Sequence, residues 1–343
     1  MRSGLLISIT MSILLLLYSG IPAPELAEGR ELTPSIQDSQ PDDSRSLPDR
    51  SFPAPKGDQA IFVAAATSEN VVLLVGERGL IFRSTDAGQN FQQVEAPTRR
   101  MLCAVTFGDD GMAYAVGHDL TVLRSSDSGA SWEAIHRDPE ADLALFSVVA
   151  LEGGRVVAVG AFGTVLVSTD SGENWRQELI SEDGPHVYSV QRTATTLVAV
   201  GEFGSIFTSD DGGDVWQVVE SPYEGTFFHV ITFDDSADLV LLGLRGNLWE
   251  GAAGNWKRIE TGFEASLFGG SNLSAGRVVV VGDEGVLMIR AADGQWEDRS
   301  PGERRLLSSA IELPDGAMLI LGEKGYRIRF RQPAEIDSGE EGR

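Results

Sequence analysis

A strand-like run ending in Val-Gly or Leu-Gly recurs seven times along the chain, and no other feature restricts its fold as strongly. The glycines that close these runs are Gly76, Gly117, Gly160, Gly201, Gly243, Gly282 and Gly322, spaced by 41, 43, 41, 42, 39 and 40 residues. Each step repeats one grammar. A β-rich run such as LFSVVALEG is followed by a second that ends in the marker glycine. A short turn, often G-x-x-G, leads to a third run such as TVLVSTD, and a D-x-G turn leads to a fourth such as NWRQEL. Helical repeats can share this period, but they need apolar residues at 3.6-residue spacing. Here the runs are short, rich in Val, Ile and Leu, and bounded by Gly, Asp, Asn and Ser, which is strand punctuation. Four short strands per step of about 40 residues is the pattern of a propeller blade. The expected fold is all-β, a seven-bladed β-propeller of four-stranded blades over residues 50–332.

The last step stops after a third strand, GYRIRFRQ. The stretch from Arg50 to Lys56 is the natural source of the missing strand, so the ring is expected to close through an N-terminal strand and lose an exposed edge. Aligning the starts of the innermost runs places Cys103, Ser147, Ser189, His229, Gly269 and Ser308 at one position. Five of these six are small, as crowding at a common axis requires. Cys103 then reads as a small interior residue rather than a nucleophile.

The chain starts with positive charge at Arg2 and an apolar run from Leu5 to Leu17, a length that suits an export signal and is short for a membrane span. Residues 1–27 are read as a signal peptide or N-terminal anchor, 28–49 as a disordered linker and 333–343 as a disordered tail. The protein is accordingly expected outside the cytoplasm, in the periplasm or an equivalent lumen. The formal net charge of −24 repels phosphate backbones, so nucleic acid is excluded as a partner class. One cysteine excludes an intrachain disulfide framework, and four scattered histidines give no sequence-local zinc motif. No G-x-S-x-G or Walker motif is present, and no cofactor is expected.

Four turns share the spacing S-x-D-x-G-x-x-[WF], with Asp86, Asp127, Asp170 and Asp211 as the acid. Such a carboxylate can accept bonds from the turn's own N–H groups, while glycine takes the positive-φ position and the aromatic packs between blades. This resembles the Asp-box, or BNR, repeat. Across Thr67 to Arg331 the chain is similar to the photosystem II assembly and stability factor family of exported seven-bladed propellers, with VGEFGSIFTSDDGGDVWQ and VGAFGTVLVSTDSGENWRQ carrying the likeness. The resemblance implies a structural role for the four aspartates. It also implies a non-enzymatic, monomeric scaffold that binds a membrane protein or complex subunit through an arginine-bearing face and assists its assembly or stability. In a non-photosynthetic host the client could be transport machinery.

In a propeller, the turns between second and third strands share one face with the blade-to-blade loops. The residue after each marker glycine then forms a ring of Glu77, His118, Ala161, Glu202, Leu244, Asp283 and Glu323. Its polar members, Glu77, His118, Glu202, Asp283 and Glu323, are a candidate cation site. The next ring position holds Arg78, Phe162, Phe203 and Arg245, and the loops add Arg99, Arg100, Arg304 and Arg305. These eight form the candidate partner surface, because arginine and aromatics enrich binding hot spots. Phe227 and Phe228 are expected to start an inner strand. The alternative reading is a glycan-binding or sialidase-like glycan-hydrolysing propeller, which calls for a cleft with paired carboxylates.

Overall fold

The computed structural model describes residues 49–108, 111–233 and 236–329. The expected export segment, the linker apart from Asp49, and the tail lie outside the described residues. The described residues form seven antiparallel sheets, six of four strands and the last of three. Strand order within each sheet follows chain order. Blade 3 is typical, with strands Leu145–Leu151, Arg155–Gly160, Thr164–Ser168 and Arg176–Leu179 from the axis outward. The inner strands of successive blades touch in sequence, and that of blade 7 (Leu307–Glu312) returns to that of blade 1 (Phe62–Ser68). The molecule is the expected seven-bladed propeller.

The repeated sequence pattern follows from this packing. Second strands such as Val71–Gly76, Arg155–Gly160 and Arg277–Gly282 are covered on both faces by neighbouring blades, so they read as continuous Val/Leu runs rather than alternating ones. Outer strands such as Arg176–Leu179 face solvent and are polar. The marker glycines are set by close approach. A Cβ at Gly160 would lie 2.0 Å from the carbonyl oxygen of Ala144, and one at Gly76 2.0 Å from that of Ile61. Each inner strand enters over its marker position at a distance no side chain allows.

Each Asp-box carboxylate bonds within its own turn. Ser125 Oγ donates to Asp127 Oδ1 at 2.8 Å and accepts from the Gly129 N–H at 2.7 Å. Asp127 also accepts from the Ser131 N–H at 2.8 Å and from Ser131 Oγ at 2.6 Å. Asp86, Asp170 and Asp211 build the same turn with their own serines and backbone. Gly129 holds φ 82°, and a Cβ there would sit 2.4 Å from Leu73 Cδ2 of blade 1. Trp132, Trp175 and Trp216 pack into the apolar layers between their own blade and the preceding one. The boxes therefore join blades.

Two expectations need correction. Among the described residues, the stretch after Arg50 does not supply a fourth strand to blade 7. The Ser51 N–H donates to the Ala96 carbonyl at 2.9 Å, and Gln93 accepts from the Ala54 N–H at 2.8 Å and donates to the Phe52 carbonyl at 2.7 Å. Gln93 thus draws this stretch along the outer edge of blade 1. The ring closes instead by side chains: Phe62, Leu74 and Phe82 of blade 1 pack with Leu313, Leu319 and Leu321 of blade 7. Ser308 Oγ also donates to the Phe62 carbonyl at 2.7 Å.

The second correction concerns inner-strand register. Every inner strand carries a one-residue bulge just after its start. The bulged residues are Val63, Cys103, Phe146, Tyr188, Phe228, Phe268 and Ser308. Cys103 and Ser308 hold this position, while Ser147, Ser189, His229 and Gly269 lie one residue further on. Small side chains fill the later position in every blade but the fifth, which has His229, and blades 3 to 6 bring rings to the bulge.

Candidate functional site: the loop face and the mouth of the axis

The turns between second and third strands do share a face with the blade-to-blade loops. The N–H of Glu77 donates to the Ile61 carbonyl and that of His118 to the Met101 carbonyl, each tying a turn to the loop that enters the inner strand. The first ring does not assemble as a cation site. Glu77 Oε1 accepts from the Ile61 N–H at 3.1 Å, and Glu202 Oε2 from the His186 N–H at 3.0 Å, so both carboxylates cap backbone. Glu202 is 6% exposed, and burial pushes its carboxyl up against the opposing effect of that bond. Asp283 accepts from the N–H of its neighbour Glu284. Burial lowers the His118 imidazole, with Asp119 pulling the other way. Among the described residues no three His, Cys, Asp or Glu side chains converge at metal-binding distance. Glu323 is likewise outside any such group.

Ring order brings most of the candidate arginines into one sector. Arg304 and Arg305 lie in the loop into blade 7, Arg78 in the blade 1 turn, and Arg99 and Arg100 in the loop into blade 2. Arg245 stands apart, exposed on blade 5. The sector is not a continuous positive field. Arg100 pairs with Asp119 at 2.6 Å, Arg305 with Glu303 at 3.2 Å, Arg78 with Glu77 at 3.8 Å and Arg304 with Glu284 at 4.0 Å. Arg99 donates to the Arg50 carbonyl at 3.0 Å and stacks over the Phe52 ring at 4.0 Å.

Phe162 and Phe203 occupy equivalent turns of adjacent blades and are 55% and 73% exposed. Both are left-handed, with φ 51° and 53°. Bulky residues rarely adopt that conformation, which costs roughly 1–2 kcal/mol in an L-residue. The turn dictates the positive φ, since Arg78, Arg245 and Glu284 share it. The turn fixes the backbone and leaves the side chain open, since Arg, Phe and Glu all occupy it. A chain of contacts connects them. The Phe162 N–H donates to His186 Nδ1 at 2.8 Å, the His186 N–H donates to Glu202, and Glu202 precedes Phe203. The Phe162 ring meets the His186 ring edge-on at 4.5 Å.

From His186 the aromatic surface continues to the axis. Its ring lies 6.2 Å from those of Phe146 and Tyr188. Phe146 to Tyr188, Tyr188 to Phe228 and Phe228 to Phe268 follow at 5.3, 5.5 and 5.2 Å. These four are the bulged residues of blades 3 to 6, and all seven bulged residues line one axial cavity of about 410 Å³. Burial pushes the Cys103 thiol up to about 12, which keeps it protonated at the half-buried cavity wall. Phe227 and Phe228 start the inner strand of blade 5 as expected, with Phe227 fully buried. The aromatic arc was missed from sequence. Its signal is there in Phe146-Ser147, Tyr188-Ser189, Phe228-His229 and Phe268-Gly269, an aromatic just before the small residue in four successive repeats.

The chain is an Asp-box propeller with one loop-lined, aromatic-bearing face. The chain belongs to the family described as photosynthesis system II assembly factor YCF48, whose family model matches residues 84–262. Among solved structures it is similar to YCF48 from Cyanidioschyzon merolae, with 18% identity, a TM-score of 0.66, and 82% of this chain and 99% of that one covered. A structure described as YCF48 bound to D1 peptide matches at 19% identity and TM-score 0.66, covering 84% of this chain and 97% of that one. A streptogramin B lyase is as similar in shape, at 13% identity and TM-score 0.66, over 83% of this chain and 96% of that one. Such identities show a shared fold alone. No curated protein sequence matches the chain.

Proposed function

We propose that the protein is an exported, monomeric, non-enzymatic scaffold that binds a membrane protein or complex subunit through its loop face and assists that client's assembly or stability. One observation carries this reading: two adjacent blades present exposed phenylalanines in a backbone conformation that disfavours them. Interfaces gather their energy on a few such aromatic anchors. Family membership and the relative described as bound to a D1 peptide support a polypeptide client. The net charge of −24 supports a partner other than nucleic acid. Glycoside hydrolysis needs two carboxyl groups roughly 5–9.5 Å apart. No such pair lines the axial cavity, so a hydrolytic site would have to be built on the loop face.

The test is affinity capture from solubilised membranes of the host. A Phe162→Ser/Phe203→Ser variant and an Arg99, Arg100, Arg304 and Arg305 to Ala variant are run beside the wild type. Recovery of a membrane protein with the wild type and its loss with the phenylalanine variant is expected. Equal recovery with all three proteins removes the loop face from the reading. Recovery of no membrane protein with the wild type removes the client.

A further inference from the structure

We infer that the axial cavity is a binding site for a neutral aromatic group. Its volume, about 410 Å³, is that of a pocket for a small ligand or one large side chain. Its wall is two-sided. Blades 3 to 6 contribute the rings of Phe146, Tyr188, Phe228 and Phe268 as an unbroken fence, whereas blades 7, 1 and 2 contribute Ser308, Val63 and Cys103 at the same bulge. The open half of the cavity therefore lies against the small residues and faces the rings. Had the bulge been selected only to fill the axis, the bulk would be spread around it. The concentration of rings on one side leaves a slot beside them.

Several polar groups of the wall already hold partners within the protein. Ser147 Oγ donates to the Val190 carbonyl, Ser271 Oγ to the Ala310 carbonyl, and Asn272 Nδ2 to the Thr232 carbonyl. His229 lies between Ser189 Oγ at 3.1 Å and the Gly270 carbonyl at 3.2 Å. The aromatic fence, with the Tyr188 hydroxyl and Gln191 beside it, remains to recognise a ligand. No Lys, Arg, Asp or Glu lines the cavity. Burial holds His229 down to about 4 and Cys103 up to about 12, so the wall carries no formal charge at neutral pH. A charged ligand would enter without a counter-charge, which disfavours it. Ring-on-ring contact in edge or offset geometry favours an aromatic one. The bulged residues sit where the inner strands leave the loop face, so the fence is reached from that side. This inference is independent of the client reading: the group is a free small molecule or the side chain of a bound polypeptide.

The test titrates the full chain with indole, p-cresol and cyclohexanol, and with a blocked pentapeptide carrying one central Trp, by calorimetry and saturation-transfer NMR. The fill-in variant is Cys103→Phe and the ring-removal variant is Phe268→Leu. Expected are saturable, mutually competitive binding of indole and p-cresol, at least ten-fold weaker binding of cyclohexanol, and at least ten-fold weaker indole binding to Cys103→Phe. If Cys103→Phe does not fold, Phe268→Leu decides, with indole affinity reduced at least three-fold. Peptide binding that competes with indole assigns the site to a client side chain. Indole binding without peptide binding assigns it to a free ligand. No saturable aromatic binding, or indole affinity unchanged in the deciding variant, overturns the inference. Failure here leaves membrane-protein capture by the loop face intact, and failure of capture leaves indole binding intact.

Discussion

The backbone N–H of Phe162 donates to Nδ1 of His186 across 2.8 Å, and this bond requires the imidazole to be neutral. Burial lowers His186 below its ordinary value of 6.5, which keeps Nδ1 available as an acceptor at neutral pH. His186→Ala removes the acceptor and is expected to destabilise the propeller by about 1–3 kcal/mol, read from the denaturant midpoint. It also frees the Phe162 turn, so client capture falls further than stability does. An unchanged midpoint would show that the turn holds itself.

The pH dependence of stability has two windows with one sign. All four histidines are lowered in the folded state by burial, His229 to about 4. The unfolded chain takes up these protons first. Stability is therefore complete above the unfolded value of about 6.5 and declines as pH falls toward 4. The second window belongs to the Asp boxes. Hydrogen bonds from Ser84 and Asn90 hold Asp86 at about 2, and those from Asn174 and Ser168 do the same for Asp170. Partial burial raises Asp127, but its bonds with Ser131 and Ser125 outweigh this and bring it to about 2. Their contribution is present above the unfolded carboxylate value of about 3.9 and is lost as pH falls through about 2. A melting temperature flat from pH 7 to pH 2 would contradict both assignments.

Marker glycines and loop glycines should respond very differently to alanine. At Gly160 the new Cβ meets the Ala144 carbonyl at 2.0 Å, so the inner strand must move. The expected loss is at least about 2 kcal/mol. At Gly276, φ is +69° and nothing lies within 4 Å, so the cost is the left-handed strain alone, about 1–2 kcal/mol. The two denaturation curves, measured together, separate close approach from conformation.

Phe203 offers a test of function against stability. Replacing this 73% exposed, left-handed residue with Asn removes strain and little buried surface. Phe203→Asn is expected to gain up to about 1 kcal/mol in stability while capturing less client. A loss of stability would mean that the ring packs within its own turn.

The ring was legible because its cause is local and repeated. Each marker glycine faces the same kind of carbonyl approach at every step, and each of the four Asp boxes closes on its own backbone, so short-range chemistry recurs along the chain. The face was legible in part. Phe162 and Phe203 could be placed on it by counting from a glycine. The pairing of Arg100 with Asp119 joins two loops that no short motif connects, so the neutralisation of the arginine sector was invisible. The aromatic arc escaped because a one-residue bulge leaves no mark in composition. Without it, Cys103 aligns with Ser147, although Phe146 is its true counterpart.

The seam between blades 7 and 1 differs in kind from a shared strand. Among the described residues, no backbone ladder crosses it, and its hold rests on Phe62, Leu321 and their neighbours, one hydroxyl bond from Ser308 and the close approach of the Asp58 carbonyl to Gly325. Side-chain contact is short-ranged and yields all at once, whereas a ladder releases bond by bond. Under tension between its ends the circle should part here first, as a split washer does, with the remaining blades still stacked in order. Hydrogen exchange would then find the amides of Leu307–Glu312 opening ahead of those of Leu145–Leu151, though both are inner strands of the same ring.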